Sequence, residues 1–166
     1  MKIAVCPGSF DPITLGHVDV IQRARTMFDH VIVGVGRNTR KNYWFSAPER
    51  VQLARGALAD IPGVQVELMD GLVAVFAQEH GATAIVKGLR GTADFDNEQA
   101  MALLNRHLSG LETALIIGDP AKAHIASSFV KEIAAYGGKF EDLVPANVAQ
   151  ALQQRAQERK KGSHDE

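Results

Sequence analysis

Short apolar runs recur along the chain at Ile3–Val5, Val31–Val35, Val64–Leu68, Ala84–Val86 and Thr113–Ile117. Between them lie helical patterns over about 16–28, 47–59, 72–80, 92–109 and 126–136. Strands that read as nearly continuous apolar runs, separated by helices, imply a parallel sheet covered on both faces. With right-handed crossovers, the pattern predicts an α/β fold: a doubly wound, Rossmann-like parallel sheet of five strands. After a short connection from Phe140 to Val144, the spacing Val144, Val148, Leu152 predicts a terminal amphipathic helix. A single domain over 1–156 is expected, with a polar tail over 157–166 that frays. No internal repeat, low-complexity tract or Gly/Ser linker divides the chain.

The loops that follow these strands carry the chemistry. The first strand runs into Cys6-Pro7-Gly8-Ser9-Phe10-Asp11-Pro12-Ile13-Thr14-Leu15-Gly16-His17. Pro and Gly punctuate a tight turn, and Thr14 is placed to cap the helix that begins beyond it. Gly16 and His17 then fall in the first helical turn, where unpaired N–H groups and a partial positive charge attract phosphate. The histidine adds a donor able to carry charge near neutral pH. The second strand leads into a loop with three cations, Arg37, Arg40 and Lys41, and then a capping box, Ser46-Ala47-Pro48-Glu49. Arg37 and Arg40 read as solvated side chains, Trp44 and Phe45 as packing residues. At the exit of the fourth strand, Lys87 and Arg90 flank Gly88 and Leu89, ahead of a helix capped by Thr92 or Asp94. Ser127 and Ser128 stand where they can cap the helix after the fifth strand.

Composition narrows the reading. The chain has 166 residues, 46% of them hydrophobic, with a net charge of −1. That suits one folded domain and lacks the basic excess of a nucleic-acid binder. No apolar run approaches the roughly 20 residues of a membrane span, and the N-terminus is too soon broken for a signal peptide. The single cysteine, Cys6, makes neither a disulfide nor a thiolate metal site, and it reads as a small buried residue. A cytoplasmic protein is expected.

The string Thr14-Leu15-Gly16-His17 resembles the His/Thr-x-Gly-His signature of the nucleotidyltransferase superfamily. The wider string from Pro7 to Asp19 resembles bacterial phosphopantetheine adenylyltransferases, as does Lys87-Gly88-Leu89-Arg90. The resemblance covers about residues 3–155. It implies transfer of AMP from ATP to 4′-phosphopantetheine, giving dephospho-CoA and pyrophosphate. It implies that His17 stabilises the α-phosphoryl group, with Ser9 hydrogen-bonding the same region and Phe10 beside it. Lys41 and Lys87 would orient the acceptor phosphate, and Val73 would line the pantetheine arm. Many members carry arginine at the Lys87 position; lysine supplies a point charge in place of a planar fork. Arg90, Ser127 and Ser128 would hold the departing pyrophosphate, and Gly88, Leu89 and Glu98 would contact ATP. The remaining ATP-binding stretch corresponds to Lys122, Ala123, His124, Ile125 and Ala126. Here the chain departs from the family pattern: an aromatic and one serine are missing, and Lys122 offers a compensating charge. The resemblance also implies Mg²⁺ carried by ATP without a protein-built metal cage, a homohexamer, and CoA as a feedback ligand. Two alternatives stand beside it. One is another small-molecule nucleotidyltransferase, acting on nicotinate mononucleotide or glycerol 3-phosphate. The other is a non-catalytic nucleotide-binding regulator on the same fold.

Overall fold

The computed structural model describes residues 1–163. Five parallel strands form one sheet: β1 (Ile3–Gly8), β2 (His30–Gly36), β3 (Val64–Met69), β4 (Ala84–Leu89) and β5 (Glu112–Ile117), in the order β3-β2-β1-β4-β5. The helices are α1 (Leu15–Met27), α2 (Ala47–Ala57), α3 (Val73–Glu79), α4 (Thr92–Ser109), α5 (Ser127–Ala135) and α6 (Ala146–Gly162). Short 3₁₀ turns occupy Pro120–Lys122 and Glu141–Leu143. Both faces of the sheet are covered. Ala4, Val31, Val33, Val35 and Val86 pack with Ile21 of α1, Val51 of α2, Val130 of α5 and Leu152 of α6. Val5, Ile32 and Ile85 point the other way, onto Phe76 and Ala77 of α3. The period of two along each strand thus feeds two cores, and the doubly wound expectation holds.

Strands β1 and β4 run further than their apolar runs suggest. The added residues, Pro7-Gly8 and Lys87-Gly88-Leu89, read as turn and loop in the sequence. They stay in register because each strand has an outer neighbour: Gly8 opposes Val35, and Leu89 opposes Ile117. The tail is a correction. Helix α6 continues through Gly162, so 157–162 are helical and not frayed. Arg159 of this stretch stacks over the Trp44 ring at 4.8 Å, which gives its polar face a partner. Residues 164–166 of the expected tail lie outside the described residues. Helix α4 leaves Leu103, Leu104 and Leu108 half exposed. Among the described residues, no helix is long and apolar enough to cross a membrane.

The topology sets the site. The chain lays down β1, β2 and β3 outward, then returns through α3 to place β4 on the other side of β1. In such sheets ligands bind at the carboxyl ends of the strands where the direction of winding reverses. Between β1 and β4 only Ala4–Ala84 and Val5–Ile85 are paired, so their carboxyl ends part and leave a crevice.

Helix α3 is tied to the sheet edge by His80. Its Nδ1 lies 2.8 Å from the Phe76 carbonyl and its Nε2 lies 2.7 Å from Glu67. Both partners are acceptors, so only the protonated ring satisfies both. Burial works against that charge, but the Phe76 carbonyl and the Glu67 carboxylate outweigh it and raise the pKa. A raised folded-state pKa gives stability that is complete below the unfolded value, about 6.5, and is lost as pH rises through the folded value. Wild-type stability in urea titrations is therefore expected to fall as pH rises over that interval. His80→Gln should remove the pH-dependent step; an unchanged step would assign it elsewhere.

Candidate active site

The crevice opens into two adjoining chambers. The larger, about 530 Å³, reaches from the carboxyl end of β1 past the start of α1 to the 117–128 segment. The smaller, about 370 Å³, lies between the loops after β2 and β3 and helix α4. Pro7, Gly8, Ser9, Lys87 and Glu98 line both, so these residues form the junction.

His17 stands in the wall of the larger chamber. Its position follows from a reciprocal cap at the start of α1. The His17 N–H donates to Thr14 Oγ1 at 3.4 Å, and the Thr14 N–H donates to His17 Nδ1 at 3.0 Å. Because Nδ1 accepts, the proton of the neutral ring sits on Nε2. The Phe10 ring packs edge-on against the imidazole, centroids 5.0 Å apart. Phe10 achieves this with φ at +48°, a conformation disfavoured for a bulky residue. Burial, together with the nearby charges of Arg90 and Lys87, pushes the His17 pKa down to about 4. This corrects the expected charge near neutral pH: His17 is a neutral hydrogen-bond donor. The neighbouring Cys6 thiol is driven up to about 11 by burial, which makes it inert, in keeping with a small buried residue.

The remaining expected residues fall around the same crevice, with one exception. Lys41 Nζ donates to Ser9 Oγ at 3.3 Å, joining the loop after β2 to the loop after β1. Lys87 pairs with Glu98 at 3.5 Å across the junction. Val73, at the start of α3, lines the smaller chamber. Arg90 is held by Asp94, whose carboxylate accepts from both its guanidinium and its backbone N–H. A second Arg90 nitrogen donates to the Ile125 carbonyl at 3.3 Å. Gly88, Leu89, Lys122, Ala123, Ile125, Ala126, Ser127 and Ser128 line the larger chamber. A Cβ on Gly88 would lie 2.8 Å from Val20 Cγ2, so glycine there also lets α1 press against β4. His124 is exposed and outside that lining. Lys122 is paired with Asp119 at 2.8 Å.

Two expected caps take other forms. Helix α4 is capped by Gly91 without a side-chain bond, because Asp94 turns back to Arg90. Helix α5 is capped by Ala126, also without a side-chain bond. Ser127 Oγ instead donates to the Pro12 carbonyl at 2.9 Å, which brings the uncapped first turn of α5 against the turn that precedes α1. Two helix N-termini thus share one chamber with Lys87, Arg90 and Lys122, an arrangement suited to a polyphosphate.

Three residues that brace this geometry carried no functional signal in the sequence. Asp11 is buried and accepts from the Trp44 and Phe45 N–H groups, both at 3.0 Å, and from Lys131 at 2.8 Å. Arg50, 1% exposed, donates to the carbonyls of Ser9 and Gly36, each at 2.7 Å, and of Phe45 at 3.2 Å. Arg155 of α6 bonds the Trp44 carbonyl and Glu49. Apart from Phe45, five positions from Arg50, their partners lie 14 to 120 positions away, so only the fold reveals them.

The depressed His17 pKa makes stability depend on pH. A base whose folded-state pKa is lowered contributes stability present above its unfolded pKa, about 6.5. That stability is lost as pH falls through the folded value of about 4. In ¹⁵N NMR at neutral pH, His17 is expected to carry its proton on Nε2 and to show no titration midpoint near its unfolded value. A midpoint there, or a proton on Nδ1, would contradict the geometry.

The family model described as cytidylyltransferase-like matches residues 5–133. The phosphopantetheine adenylyltransferase of Kocuria rhizophila is 49% identical over 154 residues, 92% of this chain and 99% of the relative. That of Rubrobacter xylanophilus is 49% identical over 155 residues, covering 93% and 94%. That of Levilactobacillus brevis is 47% identical over 153 residues, covering 92% and 95%. With a strand-turn-helix cradle built on Thr14 and His17, and similarity spanning nearly the whole length of these relatives, the chain belongs to the phosphopantetheine adenylyltransferase family of cytidylyltransferase-like proteins.

Proposed function

We propose that this protein transfers AMP from ATP to 4′-phosphopantetheine, giving dephospho-CoA and pyrophosphate. The observation that carries the reading is the junction at Ser9 and Lys87, where a chamber lined by two helix N-termini meets a narrower one bordered by Lys41. The triphosphate occupies the larger chamber and the acceptor the smaller. An oxygen of the acceptor phosphate attacks the α-phosphorus; the bond to the bridging oxygen breaks, and pyrophosphate leaves with the electron pair. The attacking oxygen is already anionic, so no side chain has to remove a proton. Catalysis then consists of positioning and charge stabilisation. The His17 Nε2–H and the first-turn amides of α1 donate to the α-phosphoryl oxygens as negative charge builds there. Lys41, Ser9 and Lys87 orient the acceptor phosphate. Arg90 and the start of α5 receive the pyrophosphate.

Asp19, Asp94, Glu98 and Asp119, the carboxylates lining the larger chamber, are each paired with a cation. The donor set therefore fits Mg²⁺ carried in on the triphosphate rather than held by protein ligands; its chemistry is to neutralise phosphate charge. The half-exposed Leu103, Leu104 and Leu108 of α4 support assembly into a homo-oligomer, which we take to be the hexamer. CoA, which contains the acceptor's arm, acts as a feedback ligand in the smaller chamber. The reaction places the protein in the cytoplasm with its ATP.

The deciding experiment is pyrophosphate release over a panel of acceptors. 4′-Phosphopantetheine should be used far better than nicotinate mononucleotide or glycerol 3-phosphate, with dephospho-CoA identified by mass. Preference for another acceptor, or ATP binding without turnover on any, would overturn the proposal. His17→Ala should lower kcat by about 10²–10³ with little change in the KM for ATP. Lys41→Ala should raise the acceptor KM roughly tenfold, about 1.4 kcal/mol, and leave that for ATP unchanged. Equal effects on both substrates would refute the division into two chambers.

A further inference from the structure

The larger chamber has an end that the phosphates leave free. His17 and the start of α1 take the α-phosphoryl group, Arg90 and the start of α5 take the pyrophosphate, and the acceptor enters through the junction. What remains of the wall is Asp19 and Val20, just after His17 in α1, and the turn after β5, with Ile117, Asp119, Pro120 and Lys122. The nucleoside, joined to the α-phosphoryl group, has this end left to it.

The turn is fixed there by a chain of bonds that begins on α1. The Asp19 carboxylate accepts the Asp119 N–H at 2.7 Å and pairs with Arg23 at 3.1 Å. The Asp119 carboxylate in its turn accepts the Ala121 N–H at 2.9 Å and the Lys122 ammonium at 2.8 Å. The same segment lies against the phosphate cradle: a Cβ on Gly16 would stand 3.8 Å from the Lys122 carbonyl oxygen. Lys122 is thereby held beside the start of α1.

An ammonium has three donors, and among the described residues that of Lys122 uses one, on Asp119. The Lys122 side chain keeps 34% of its surface open and lines the chamber, so a ligand atom can reach the remaining donors. Around it, Val20, Ile117 and Pro120 make the wall apolar. A planar heterocycle fits both features, with apolar faces for the wall and in-plane ring nitrogens that accept hydrogen bonds. We infer that Lys122 is a specificity-determining residue of the nucleotide end: its ammonium, held by Asp119, donates to a ring nitrogen of the base. This rests on the adenylyltransferase reading given above. It goes further in giving the charge at Lys122, where the chain departs from the family pattern, one directional bond to the base.

The test is calorimetry with ATP and its 1-deaza, 3-deaza and 7-deaza analogues, each with one ring nitrogen replaced by C–H. It compares the wild type with Lys122→Met, which keeps the length of the side chain and removes its donors. In the wild type at least one analogue should bind about five- to tenfold more weakly than ATP, the loss of one charge-assisted hydrogen bond. Lys122→Met should weaken ATP binding by a similar factor and should bind ATP and that analogue equally. Because the side chain is partly exposed and outside the core, thermal unfolding should be unchanged, as should the KM for 4′-phosphopantetheine. A wild type indifferent to all three analogues would overturn the inference. So would a variant that loses ATP and every analogue by one common factor, since the cation would then serve the phosphates. Either result leaves the adenylyltransferase reading intact. A wild type that shows the analogue effect yet releases no pyrophosphate with any acceptor would overturn that reading alone, and one that binds no ATP would overturn both.

Discussion

Strands β1 and β4 share two residue pairs and then part, and much of the molecule follows from that short contact. Had the ladder continued, backbone groups of Cys6–Gly8 and Val86–Leu89 would have satisfied one another and left no opening. Instead each strand keeps its outer neighbour, and the inner edges turn toward the crevice. Helix α1 enters against β4 because Gly88 has no side chain to meet Val20. The same opening receives His17, whose ring is aimed by the backbone of its own helix start. A neutral donor, kept neutral first by burial and then by the nearby cations, can face a phosphoryl group without adding a pH-gated charge.

The loop after β2 is held by charged side chains that grip its backbone. Asp11 takes two N–H groups of the Trp44–Phe45 segment, while Arg50 and Arg155 take its carbonyls. Burying a guanidinium as fully as Arg50 is costly unless its donors are used. Here three carbonyls and the Tyr43 ring use them, and in doing so they fix the loop that carries Lys41 relative to Ser9. Burial energy and site geometry are therefore the same set of contacts.

The layout of the sheet was legible in the chain because parallel strands buried on both faces leave short β-branched runs such as Val31–Val35, set between longer helical patterns. The cradle was legible through Thr14, Gly16 and His17, whose chemistry is local to one turn and whose order resembles a known signature. The strand ends were not, since Lys87 and Gly88 look like loop residues until β5 is placed beside them. Nor was the charge state of His17, which depends first on its burial in the folded chain and then on Arg90 and Lys87, more than sixty positions later. Ser127 does not cap α5, because its hydroxyl serves the carbonyl of Pro12, which is near only after folding. The position of His124 outside the crevice likewise emerges only from the path of the 120–126 segment.

The grip of Arg155 on Trp44 and Glu49 makes the last helix part of a loop laid down more than a hundred residues earlier. During synthesis the sheet and the phosphate cradle are complete in covalent terms before α6 leaves the ribosome. The acceptor side, already held by Asp11 and Arg50, gains its Arg155 brace when α6 emerges and folds back. A nascent chain thus lacks this brace on its crevice until α6 has been made and has folded back.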